Sequence, residues 1–229
     1  MKKSDFVFLC VVLIVFVPFF LSPRLYQAYL SFNSEHGMLM SFMKFAVLST
    51  MGELLGLRIS SGMYIKPGFG ILPRAFVWGL FGMAINMAFI VFSTGIPAFA
   101  GYLGVHDPDA VMAGPVTGEK VVLAFSISVA MNCIFAPVFM TLHKVTDTHI
   151  LANGGTLRGL FRPIPMAAIL QNLNWQVQWG FVFKRTIPMF WFPAHTITFL
   201  LPEDMRVLFA ALLGVALGLI LAVAARMKA

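Results

Sequence analysis

Charged residues are scarce. Asp, Glu, Lys and Arg together make up 11% of the 229 residues, where a soluble domain carries about a quarter. Hydrophobic residues fill 59% of the chain. The balance points to one compact membrane domain and leaves no length for a sizeable soluble one. Cysteine is nearly missing. Cys10 and Cys133 both lie inside apolar runs, read as small buried hydrophobes, and carry no information on redox compartment. The chain has no Gly-x-Ser-x-Gly, no P-loop and no dinucleotide fingerprint. An Arg- and Ser-rich transit peptide and an internal repeat are also lacking. The 15 Met and 24 Phe form no clustered Met motif of the kind that holds copper, and read as filler of lipid-facing and inter-helix space. No catalytic residue, resident metal or cofactor is therefore expected.

What is present is a set of apolar runs. Six read as spanning helices: Phe6–Leu21, Gly37–Leu57, Ala75–Ala98, Val121–Leu142, Thr186–Leu201 and Val207–Ala225. A bilayer core needs about 20 residues, so the first and fifth are short. The start Met1-Lys2-Lys3 followed by Phe6–Leu21 also resembles a signal peptide. However, the run is at or beyond the usual h-region length, and Ser22-Pro23-Arg24 is no small-x-small cleavage site. An uncleaved first helix is the preferred reading, with cleavage as the alternative.

The charges that do occur sort by face. Of the 16 Lys and Arg, Arg24, Lys120 and Arg206 fall on one side, Lys44 falls within a span, and the rest gather on the other. Glu35, Asp107, Asp109, Glu119, Glu203 and Asp204 share the Lys/Arg-poor side. Basic loops stay cytoplasmic, so both termini are expected inside. Membrane orientation thus accounts for the +7 net charge, and nucleic acid is not an expected partner. The Met-Lys-Lys start and compact loops suggest a bacterial cytoplasmic membrane, with an organelle membrane as the alternative.

Residues 166–183 fit the pattern poorly. They are apolar at both ends but carry Gln171, Asn172, Asn174, Gln176 and Gln178, which would be costly in lipid without partners. With Trp175 and Trp179 one turn apart and Lys184-Arg185 following, the segment reads as an interfacial amphipathic helix. The rival is a span lining a wet cavity.

Stripes of small or polar residues mark four spans. They are Ser49, Gly52, Glu53 and Gly56; Gly79, Gly82, Asn86 and Ser93; Ser128 and Asn132; and Pro188, Trp191, His195 and Thr198. Residues three and four apart share a helix face. The simplest assembly is an all-α bundle in which these four helices face a polar interior and the first and sixth lie outside. Candidate pore-lining residues are Glu53, Asn86, Asn132, His195 and Thr198. Asn86 and Asn132, at similar depth, could instead hydrogen-bond each other between helices.

Glu53 is the one acidic residue within a span and needs a partner, with Arg58 and Arg74 nearest. Lys44, out of phase with Glu53, either snorkels or faces the cavity. Pro137, Pro188 and Pro193 free carbonyls at Cys133, Lys184 and Met189. Gly52-x-x-x-Gly56 and Gly214-x-x-x-Gly218 permit close helix approach. His143, Asp147 and His149, past the end of the fourth span, read as solvated residues at the inner interface rather than metal ligands.

The C-terminal third carries Trp175, Trp179, Trp191-Phe192-Pro193-Ala194-His195, Thr198-Phe199, Pro202 and Arg206. With Phe135-Ala136-Pro137 and Gly52-Glu53, it resembles the Mpv-seventeen/PMP-twenty-two family of small peroxisomal and mitochondrial membrane proteins. The family pattern has a Gln near His195, an Asn near Thr198, an Asp-Gln pair at Met131-Asn132 and Gly-Asp at Gly52-Glu53. The resemblance covers Gly37 to the C-terminus, and the first span has no counterpart in the short members. It implies a helical membrane protein, and some members are described as passive channels for small solutes.

The expectation is a channel-like membrane protein passing small hydrophilic solutes through a polar bundle interior. Its partners would be the bilayer, those solutes and, as an option, further copies of the chain. The alternatives are a structural membrane protein without transport and, third, a membrane-embedded enzyme.

Overall fold

The computed structural model describes residues 2–227, with side chains described through 220. Met1, part of the Met-Lys-Lys start, lies outside them. The described residues are helical throughout their regular elements, with no strand among them. Among the described residues, four helices are long and apolar enough to cross a membrane: α1 (Lys3–Leu21), α3 (Gly37–Ser61), α4 (Ile71–Tyr102) and α6 (Gly118–Ala152). α2 (Pro23–Glu35) joins α1 to α3, and α5 (Pro108–Ala113) lies between α4 and α6.

Short helices α7 (Leu157–Leu160), α8 (Met166–Gln171) and α9 (Trp175–Val177) follow. α9 runs without a break into a π-helical segment, Gln178–Trp191, and then into α10 (Phe192–Leu200). α11 (Glu203–Met227) closes the chain.

Several helices outrun their apolar cores. α6 continues for ten residues past Leu142, because nothing between Val138 and Ala152 breaks it; the first glycine is Gly154. That extension places His143, Asp147 and His149 on a helix, where a loop was expected. His149 is buried, with Nε2 within 3.1 Å of the Gly159 carbonyl. α2 is a helix where a loop was expected. Ser22 caps it, accepting from the Leu25 amide at 3.3 Å, and Pro23 occupies the first turn. Proline is pre-organised at that position and loses no bond there.

The interfacial-helix reading of residues 166–183 also changes. Only Met166–Gln171 forms a separate helix, and Trp175–Phe183 belongs to the same rod as the expected fifth span. Of its amides, Gln178 is buried while Gln171, Asn172, Asn174 and Gln176 are exposed. A π-helix bonds five residues back. Pro188 therefore leaves the carbonyl of Phe183 without its amide, not that of Lys184. Pro193 sits in the first turn of α10, where the winding tightens.

The first and sixth spans were expected outside a four-helix core. α1 does stand outside, with no buried residue. It is tied at its start by the Asp5–Arg58 ion pair at 2.6 Å and by Phe8 stacked on Tyr64. α11 does not stand outside. It packs closely on α3, and the reason is glycine on both sides. A Cβ on Gly52 would sit 3.1 Å from Val215 Cα, and one on Gly218 would sit 3.8 Å from the Gly52 carbonyl oxygen. The two Gly-x-x-x-Gly patterns thus face each other.

α4 packs on the other side of α3 by the same means. A Cβ on Gly82 would lie 2.5 Å from the Ser41 carbonyl oxygen and 2.6 Å from Phe45 Cβ. The Gly79/Gly82 stripe is a contact face rather than a cavity wall. The main core gathers Phe45, Leu48, Phe89, Ala124, Ile127, Met131, Phe199, Val207 and Ala211.

Candidate functional site

Five elements leave a cavity of about 260 Å³ between them, lined from α3, α4, α6, the π-helical segment with α10, and α11. It is an elongated space. Its α3 wall runs from Phe45 to Gly56, roughly 16 Å at 1.5 Å per residue. Ser49, Gly52, Glu53 and Gly56 all line it, as their helical spacing requires. α11 contributes Ala210, Gly214, Leu217 and Gly218. Beyond Phe89 and His195 the bundle is filled: Phe199 and Ile127 are wholly buried, and Phe199 lies 5.4 Å from Phe89, ring to ring.

At the Lys/Arg-rich end stands a charged cluster. Arg74, in the first turn of α4, is buried and places Nη1 2.7 Å from Glu53 Oε2 and 2.6 Å from Asp147 Oδ1. Its Nε donates to the Phe69 carbonyl at 2.7 Å, and the guanidinium lies 4.4 Å from the Phe69 ring centre. Trp78, one turn further on, donates Nε1–H to Glu53 Oε1 at 2.9 Å. His143 Nε2 is 3.2 Å from the same oxygen and 3.8 Å from Asp147 Oδ1. His143 and Asp147 reach the cluster together because they are i, i+4 on the extended α6.

Arg74 is therefore the partner Glu53 required, while Arg58 is engaged by Asp5. Glu53, His143 and Asp147 offer ligand atoms within 4.8 Å of one another. Their donor set could hold a cation, but Arg74 Nη1 already bridges both carboxylates.

The other end is aromatic. His195 stacks on Trp191 at 5.0 Å and meets the edge of Phe89 at 5.6 Å, with Nδ1 3.3 Å from Thr198 Oγ1. Asn132 donates Nδ2–H to the Ser128 carbonyl at 2.8 Å, and Ser128 Oγ donates to the Phe192 carbonyl, joining α6 to α10. Two buried groups on cavity-lining residues have no hydrogen-bond partner, the Ser49 hydroxyl and the Trp191 indole N–H. An unsatisfied buried polar atom in a native fold calls for a missing partner such as water or a ligand.

Of the five pore-lining candidates, Glu53, Asn132 and His195 meet at this cavity. Asn86 and Thr198 do not. Asn86 turns to α3, donating to Met38 Sδ at 3.4 Å, so the expected Asn86–Asn132 bond is not made. Thr198 is sealed in the core with its hydroxyl on the Ala194 carbonyl. Lys44 points away from the cavity, bonding Asn33 of α2 with its ammonium 5.5 Å from the Tyr29 ring centre.

Of the other motif residues, Trp191 lines the cavity, and Trp179 lies exposed against Phe183. Trp175 donates to the Leu170 carbonyl at 2.8 Å. Pro137 lies within α6, next to the cavity-lining Ala136. Pro202 and Arg206 shape the turn into α11, with Arg206 Nε on the Leu201 carbonyl at 3.2 Å.

Sequence reasoning missed Trp78 and undervalued His143 and Asp147. The signal was the unbroken helical run after Pro137. Comparison with family models, curated proteins and solved structures gives no match.

Proposed function

We propose that the protein is a multi-pass membrane protein that carries small solutes through its helix bundle along a gated path. The reading takes six spans, with the Trp175–Leu200 rod and α11 added to the four apolar helices, and with both termini on the Lys/Arg-rich side. The observation that carries it is the elongated cavity between five helices, reaching from Glu53 and His143 to Phe89 and His195. Irregular backbone and polar side chains at membrane depth are characteristic of solute paths. Both occur here, in the π-helical segment and at Glu53, Asn132 and His195. The filled end around Phe89, Ile127 and Phe199 is the gate in this reading, and conduction requires it to part. The resemblance of the C-terminal third to a family some of whose members are described as passive channels is in line with this reading.

The test is flux through liposomes holding the purified protein, with a size series of neutral and charged solutes. Flux above protein-free liposomes with a size cutoff is expected. No flux for any solute would leave the polar residues as packing devices and favour the structural reading.

A further inference from the structure

The lining of the cavity has an uneven chemistry. Among the described residues, Glu53 is the only acidic side chain on it, and no Lys or Arg is. Six aromatic side chains supply much of the wall: Phe45, Trp78, Phe89, Phe135, Phe139 and Trp191. The Glu53 carboxylate has about four acceptor positions. Three are taken, by Arg74, Trp78 and His143. The charged cluster holds two carboxylates and one guanidinium, so with His143 neutral it keeps a net charge of −1. Ser49, one turn from Glu53 on the same face, is buried with its hydroxyl unpartnered.

A neutral polar solute would gain little from such walls, and an anion would be repelled at Glu53. A cation on an apolar body fits both parts. Its charge is attracted by the negative charge that the cluster keeps while His143 is neutral and by ring faces, which favour cations by about 0.5–2 kcal/mol in other proteins. Its body replaces water against apolar surface.

We propose that this cavity binds a monovalent organic ammonium ion, with the nitrogen near Glu53 and Ser49 and an apolar body lying along the aromatic walls toward Phe89. This names the solute class for the path proposed above and rests on that reading for transport, though not for binding. The ammonium could come from a soluble amine or from the headgroup of a lipid.

The test is a titration of the purified protein in a non-ionic detergent with 2-phenylethylammonium chloride and with 2-phenylethanol, its neutral counterpart of nearly equal size. Trp78 and Trp191 line the cavity, so intrinsic fluorescence reports occupancy. Saturable binding of the ammonium, roughly tenfold tighter than the alcohol, is expected. Glu53→Gln should remove most of that difference. Phe139→Leu, which keeps the wall apolar and leaves the charged cluster intact, should weaken the ammonium about threefold while sparing the alcohol. This second variant keeps the test decisive where Glu53→Gln fails to fold.

Equal binding of the two probes, or binding of neither, overturns the proposal. Mass spectrometry of the purified protein separates the sources. A retained amine-headed lipid displaced by the probe identifies a lipid ligand, and probe binding without one identifies a soluble amine. Binding without liposome flux would sink the transport reading alone, and flux without preference for ammonium would sink this inference alone.

Discussion

Arg74 decides the character of the charged end. A single buried guanidinium contacts two carboxylates and a backbone carbonyl, and it holds α3, α4 and α6 in one register. A buried pair is weak as a net source of stability, but removing one partner strands the other, at about 3–5 kcal/mol. Arg74→Met should therefore lower stability by an amount near the bottom of that range, since the carboxylates are only four-fifths buried. Adding Glu53→Gln and Asp147→Asn should restore a large part of it. Thermal unfolding in detergent checks both, and a triple variant no more stable than the single one contradicts the account.

The residue scale also shows what the sequence leaves hidden. Glu53 stood out as an acid within an apolar run, and its need for a cation followed. Which cation, and the arrival of His143 and Asp147 from ninety or so residues away, depended on where α6 stops.

Between elements, glycine sets the distances. α3 lies between α4 and α11, with glycine at both contacts. Gly82 meets the α3 backbone at Ser41, and Gly52 meets α11 at Val215. Without a hydrophobic drive between helices in lipid, such close approach is a main source of association. Gly82→Ala should cost about 1–3 kcal/mol through overpacking. Gly95→Ala, on the same helix with open space at its Cβ position, should be neutral or stabilise by up to about 1 kcal/mol. Unfolding of the two variants side by side is the check, and equal effects would show that packing at Gly82 is not tight.

The apolar runs of α1, α3, α4 and α6 were legible because apolar runs of sixteen or more residues leave few alternatives. Their ends were not. Arg74 and most of residues 143–149 are polar, and a helix in a protein continues through polar residues until a breaker stops it. The Gly-x-x-x-Gly pairs were visible as spacing, but spacing does not say which helix meets which. That α11 enters the core was hidden for this reason. The π-helical winding of Gln178–Trp191 has no signature in the sequence that we can name.

For the whole molecule, the bundle interior is hollow toward its basic end and packed around Phe89, Ile127 and Phe199, with clefts beyond at its acidic end. The aromatic plug of Phe89 and Phe199 separates the two. A path across the bilayer requires this plug to part; the π-helical segment with Pro188 packs on α6 at Ala136 and borders the hollow part through Trp191. The Lys/Arg-rich end and the cluster that heads the cavity coincide. On the proposed path, a solute entering from the Lys/Arg-rich side would meet Glu53 and His143 first.

The central claim is that solute passes through this cavity. Gly214 lines it and has nothing within 4 Å of its Cβ position. Gly214→Leu should thus place its first side-chain carbon in open space and narrow the cavity. Liposome flux of this variant beside the wild type is the most direct measurement. The account predicts that flux falls to the protein-free level while the variant elutes and melts like the parent. Undiminished flux through a well-folded Gly214→Leu protein would contradict it.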